Sequence, residues 1–118
     1  MTEPNIFEFK IPRWPLIDMT GYKPKTTFWE DFSIADAFGT KEVQDTFDRA
    51  FKEYKDDMVY ATELAMVINW KQFQFADGGI IAKSDMAKLY QQLWFKIDKY
   101  IMNNWKDEKL AYYLKETD

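Results

Sequence analysis

The 118-residue sequence contains neither cysteine nor histidine. Without cysteine there are no disulfides and no cysteine-ligated zinc or iron–sulfur centres, and its lack suits a reducing compartment. Without histidine the commonest general base, the Ser–His and Cys–His pairs and imidazole metal ligation are all excluded. Long apolar runs are missing too: none approaches the ~18–20 residues that a membrane-spanning helix needs, and Glu3, Glu8, Lys10 and Arg13 interrupt any signal-peptide core. There is no run of Lys or Arg, and 20 acids against 16 bases leave a net charge of −4. A duplex-binding protein ordinarily shows a basic face. The phosphate-binding patterns G-x-x-x-x-G-K and G-x-G-x-x-G and the nucleophile elbow G-x-S-x-G do not occur. These absences set the expectation of a cytoplasmic protein with no cofactor, no resident metal and no membrane segment. They lean away from an enzyme and from a nucleic-acid partner.

What the chain does have is aromatic side chains. Ten Phe, seven Tyr and five Trp make up 19% of the residues, within a hydrophobic content of 47%. Rings in that number imply bulky interior packing or an adhesive outer surface. The length suits one domain able to bury about two-thirds of its unfolded surface.

Residues 1–25 read as an arm distinct from a helical domain of residues 26–118. In "IFEFKI", Phe7, Phe9 and Ile11 alternate with Glu8 and Lys10, the pattern of a short strand. Pro12, Pro15, Gly21 and Pro24 stop regular structure from continuing.

Beyond the arm the periodicity is helical. Thr27 followed by Glu30 has capping-box spacing, Gly39 suits a helix stop, and Phe28, Phe32, Ala35 and Phe38 share an apolar stripe flanked by Trp29. A second helix, with Thr40 as its cap, carries Val43, Phe47, Ala50, Phe51 and Tyr54, with Asp45–Arg49 and Asp48–Lys52 as ion pairs outside. A third, from Met58 to Ala76, is apolar on most sides and so belongs at the centre. Asp56 or Asp57 caps it, unless the chain runs on from the second helix through a kink; "DGG" at Asp77–Gly79 ends it. The fourth starts after Ser84 with Met86, Tyr90, Leu93, Ile97, Tyr100 and Ile101 inward and Phe95 and Asp98 off the stripe. Asp107 caps a short fifth, with Leu110, Ala111, Tyr113 and Leu114 inward. The fold class expected is all-α: an antiparallel bundle of four to five helices with an extended N-terminal arm carrying one short strand.

Three chemistries compete for the remaining residues. Asp31, Asp36 and Glu63 lie on mainly apolar helices, where carboxylates can act as acids or bases or hold Mg²⁺ or Mn²⁺. The structural alternative gives Asp36 to backbone N–H groups of the second helix or to Lys41, Asp31 to solvent, and Glu63 to a Lys or Tyr. "WKDEKLAYYLK", residues 105–115, offers rings and bases for single-stranded nucleic acid, but is nearly neutral where such sites are positive. Ser33 and Ser84 read as a solvent-facing residue and an N-cap. The third chemistry is protein binding, to another protein or to a second copy. Phe7, Phe9, Trp14 and Tyr22 on the arm are its contact candidates, with Phe75, Phe95 and Tyr112 off the main stripes, unless the arm folds over the helices and covers the surplus rings.

From Thr26 onward, "FWEDFSIADAFG", "QDTFDRAF", "TELAMVINWK", "LYQQLWFKID" and "LAYYLKETD" succeed one another in an order that resembles small helical proteins encoded by phages and mobile elements of Gram-positive gut bacteria. The resemblance covers about four-fifths of the chain. It implies a helical fold and a mobile-element setting, and carries no catalytic residue to any position.

Overall fold

The computed structural model describes residues 26–75 and 84–117, and among these residues there are five helices: α1 (Phe28–Phe38), α2 (Thr40–Tyr54), α3 (Met58–Phe75), α4 (Asp85–Asn104) and α5 (Asp107–Thr117). No strand occurs among the described residues. The expected strand in the arm, with Phe7, Phe9, Trp14 and Tyr22, and the "DGG" stop lie outside them. No helix among the described residues is long and apolar enough to cross a membrane.

The helix ends follow local chemistry, though not always through the expected atoms. Thr27 makes no side-chain cap; the Phe28 N–H donates instead to Thr26 Oγ1 at 3.3 Å. Thr40 is the first residue of α2 and not its cap. Gly39 separates α1 from α2 with φ 124° and ψ −176°, a backbone region essentially reserved for glycine. Asp57 caps α3, its Oδ1 accepting the N–H groups of Val59 and Tyr60 at 3.0 and 2.8 Å, so α2 and α3 are separate helices. Ser84 caps α4, accepting from the Ala87 N–H at 3.1 Å. Asp107 opens α5 with a left-handed backbone, φ 55°. On the outer face of α2, Asp45 takes Lys41 at 2.8 Å and Asp48 accepts from Gln44 at 2.9 Å, while Arg49 donates to Thr46. The acid of the expected Asp45–Arg49 pair is thus held by the residue one turn before it.

α3 packs against each of the other four helices. Its side chains from Ala61 to Ala65, and again from Val67 to Asn69, are buried, which is the environment a helix apolar on most sides requires. Around it, Phe32, Val43, Phe47, Tyr90, Leu93, Trp94, Ile97, Ile101 and Tyr113 close one core.

Residues on four helices lie on faces other than those the periodicity predicts. Trp94 and Asp98 on α4 are buried, because α4 packs on α2 as well as α3 and hides more than one stripe. Tyr113 Oη donates to Asp98 Oδ1 at 2.5 Å, giving that buried carboxylate a partner from α5. Phe75 and Phe95 lie half-buried against the core, Phe75 stacked on Tyr90 with ring centres 5.7 Å apart. Ala111 is exposed. Phe38, expected inside, is 75% exposed.

Candidate functional site

The first assembly of functional groups lies between α1, α3 and α4. Asp36 follows Phe32 by four residues, so it projects only about 40° further round α1 and points inward beside it. Its Oδ2 accepts from Lys71 Nζ at 2.7 Å, and its Oδ1 from Tyr90 Oη at 2.6 Å. Lys71 Nζ also donates to Ser33 Oγ at 2.9 Å. Lys71 and Tyr90 are buried, and Trp70 lies 5.5 Å from the lysine nitrogen. This corrects two expectations. Asp36 is held by α3 and α4, while Lys41 is engaged by Asp45; and Ser33 is half-buried and turned to Lys71.

The chemistry of this cluster is structural. Lys71 Nζ is already held between the Ser33 hydroxyl and the Asp36 carboxylate, and Asp36 is shared with Tyr90, so these polar atoms engage one another across α1, α3 and α4. Burial holds the Tyr90 phenol far above its ordinary pKa, and its hydrogen bond to the Asp36 carboxylate pushes in the same direction. The raised value means that Tyr90 keeps its proton in the folded chain after the unfolded chain has lost it. Its stabilising contribution is complete below about pH 10 and declines as pH rises further. In a Tyr90→Phe variant, the fall of stability above pH 10 is expected to be shallower by up to about 1.4 kcal/mol per pH unit. Urea melts at pH 8 to 11 measure it; parallel slopes for the two proteins would refute the assignment.

Asp31, Asp36 and Glu63 occupy separate places. Asp31 is exposed on the other flank of α1. Glu63 is buried on α3, eight residues or about 12 Å of helix before Lys71, and is engaged within the protein. No group of three or more acids able to hold a metal ion occurs among the described residues. In the 105–115 segment, Trp105 and Tyr113 are buried, so its largest rings are not available for stacking on bases. Trp105 Nε1 donates to the Lys55 carbonyl at 3.2 Å, and Lys109 Nζ donates to the Asp56 carbonyl while lying 4.7 Å from the Trp105 ring centre. That end of the chain fastens α5 to the α2–α3 corner.

The second assembly is a surface groove of about 500 Å³ between α1 and α2. One wall carries Phe28, Asp31, Ile34, Ala35 and Phe38, and the other Glu42, Thr46, Arg49, Ala50, Glu53 and Tyr54. Each set repeats at three and four residues, so each occupies one face of its helix and the groove runs their length, about 15 Å. Ala35 and Ala50 in the middle have no side chain beyond Cβ to fill the space. At one end Phe28 and Tyr54 meet edge to face with centroids 5.6 Å apart, and both contact Tyr60, at 6.2 and 5.0 Å. Ile34 and Phe38 stand 62% and 75% exposed on the rim, and Met58, Val59 and Tyr60 are exposed beyond the aromatic end. Among the described residues the ionic groups of the walls are three acids, Asp31, Glu42 and Glu53, and one base, Arg49. Glu53 raises the phenol pKa of neighbouring Tyr54 by direct charge repulsion, a sign of the local negative field.

Sequence reasoning missed this groove because Phe38 read as part of the core stripe and Ile34 was given no place. Their position at its edge, with alanines on the facing turns, was the available signal. No protein-family model, no curated protein and no solved structure matches the chain.

Proposed function

We propose that this chain is a non-enzymatic accessory protein that binds a partner protein through the α1–α2 groove, the partner presenting an apolar segment with basic residues. The single observation that carries the reading is the pair Ile34 and Phe38, large apolar side chains left in water beside an open channel. Scattered exposed apolar residues need no explanation, but here they are continuous with the Phe28–Tyr54–Tyr60 cluster. The excess of acids on the walls favours a basic partner and opposes an acidic one. A groove between two helices is also the usual receptor for an amphipathic segment. An antiparallel bundle with an N-terminal arm, and the mobile-element setting that the resemblance implies, suit a small protein acting by attachment. The carboxylate alternative has less support, since Asp36 already serves Lys71 and Tyr90 and stands apart from Asp31.

The test places a photo-crosslinking benzoylphenylalanine at position 38 and irradiates in the host cell. A single discrete adduct is expected, its cross-linked peptide apolar and Lys/Arg-bearing. It should fall at least tenfold when Ile34→Lys is added, and it should not form from position 111 on α5. Equal adducts from positions 38 and 111 would reject the groove. An adduct of exactly twice the chain mass would replace the foreign partner by a second copy.

A further inference from the structure

We propose that the aromatic end of the α1–α2 groove is a guanidinium subsite, which takes an arginine side chain of the partner while Ile34 and Phe38 take an apolar one. The inference rests on the docking reading above and specifies the partner's chemistry.

Phe28, Tyr54 and Tyr60 form a closed triangle in which every pair meets at a steep angle, 60° to 81°, with ring centroids 5.0 to 6.2 Å apart. Phe28 is buried and supports the other two. Tyr54 is half-buried and Tyr60 is 41% exposed, so ring surface remains uncovered there. Two planes at 81° make a corner walled by π faces, and a π face attracts a cation within about 6 Å of its centre. Elsewhere the chain uses this attraction on itself: Lys55 lies over Tyr100 at 5.4 Å, Lys96 over Phe51 at 5.5 Å and Lys109 over Trp105 at 4.7 Å. Among the described residues no lysine or arginine lies over Phe28, Tyr54 or Tyr60. Arg49, the base on the groove wall, donates to Thr46 instead.

Charge selects the kind of cation. Asp31 stands one turn after Phe28 on α1, and Glu53 stands beside Tyr54 on α2. Glu53, and to a smaller extent Asp57, push the Tyr54 phenol pKa upward, so the field over these rings is negative. An ammonium would meet rings or carboxylates as a point charge. A guanidinium meets both at once, with its flat face on a ring and its N–H fork on a carboxylate, and it sheds water more readily. The subsite lies level with residues 28–31 and the apolar rim with residues 34–38, about 10 Å further along α1. On a partner helix laid in the groove, seven residues rise about 10.5 Å and return to nearly the same face. The partner therefore carries its arginine and a large apolar residue about seven positions apart.

The test titrates Nα-acetylarginine amide into the isotope-labelled full-length chain and follows backbone amide shifts. Saturable shifts are expected at Asp31, Glu53, Tyr54 and Tyr60, with an apparent Kd on the order of 10 mM, and none at Ala111 and Lys115 on α5. The citrulline analogue keeps the shape without the charge, and the lysine analogue keeps the charge without the plane; each should bind at least about threefold more weakly. Tyr60→Leu and Glu53→Gln should each weaken the arginine probe by about threefold or more, with the α4 and α5 signals unmoved as evidence of an intact fold. Equal shifts at the groove and on α5 would overturn the subsite. So would a citrulline or lysine analogue that binds as well as arginine, or two folded variants that bind like the parent. A peptide cross-linked to position 38 that contains no arginine would overturn it as well. The two readings fail separately: a silent titration beside an intact adduct from position 38 removes the arginine subsite alone, whereas a saturable arginine site without that adduct removes the foreign partner alone.

Discussion

Replacing Lys71 by methionine is expected to cost about 3–5 kcal/mol of folding stability, the range for breaking a buried ion pair by removing one member. The Lys71–Asp36 pair has side-chain exposures of 6% and 13%, so water can do little for whichever partner is left. Without the lysine, Asp36 retains Tyr90 Oη among the described residues, one neutral donor for a nearly dehydrated carboxylate. The loss is large beside the 5–15 kcal/mol typical of whole domains. The same physics predicts a recovery. Taking out the three charged and phenolic members together, with Asp36→Leu, Lys71→Met and Tyr90→Phe, leaves the half-buried Ser33 hydroxyl as the member of the cluster that loses its partner. It should restore stability to within about 1–2 kcal/mol of the parent. Urea unfolding followed by tryptophan fluorescence measures both, provided the denaturant slope is unchanged. A single Lys71→Met variant that loses less than 1 kcal/mol would mean the cluster is hydrated in solution.

Phe32 and Phe38 form the second large contrast. They are the same residue on the same helix, six positions apart, and that spacing turns the second about 120° away from the first. Phe32 is fully buried and meets the Tyr90 ring edge to face at 6.0 Å. Phe32→Ala is expected to cost about 3–5 kcal/mol through lost burial and the cavity left behind. Phe38 projects into the groove, and Phe38→Ala should change stability by no more than about 0.5 kcal/mol. It should nonetheless weaken capture of the groove's occupant, because its ring is available only there. Parallel thermal melts of the two variants decide the matter. A Phe38→Ala variant as unstable as Phe32→Ala would place position 38 in the core and remove the groove's rim.

Three of the helix ends were legible because their causes are local, whereas Thr27 and Thr40 do not cap as their spacing suggests. Ser84 bonds three residues ahead and Asp57 two and three residues ahead, and Gly39 adopts a backbone that other residues avoid. The central place of α3 was legible because 58–75 offers almost no polar face to solvent. The partners of Asp36 were not, since Lys71 and Tyr90 stand 35 and 54 residues away. Nor was the burial of Trp94, because periodicity describes contact with one neighbour and α4 packs on two, α2 and α3.

The sequence by itself therefore determined the five helices of the described residues, some of their ends and the helix that the others surround, since each of these follows from propensity, capping and periodicity within a few turns. Only the tertiary structure decided which edge of α1 meets α3 and which is left in water. That choice depends on where other helices stand: the same apolar arc places Phe32 against Tyr90 and Phe38 in an open channel, and puts Asp36 within reach of a lysine that no local rule connects to it.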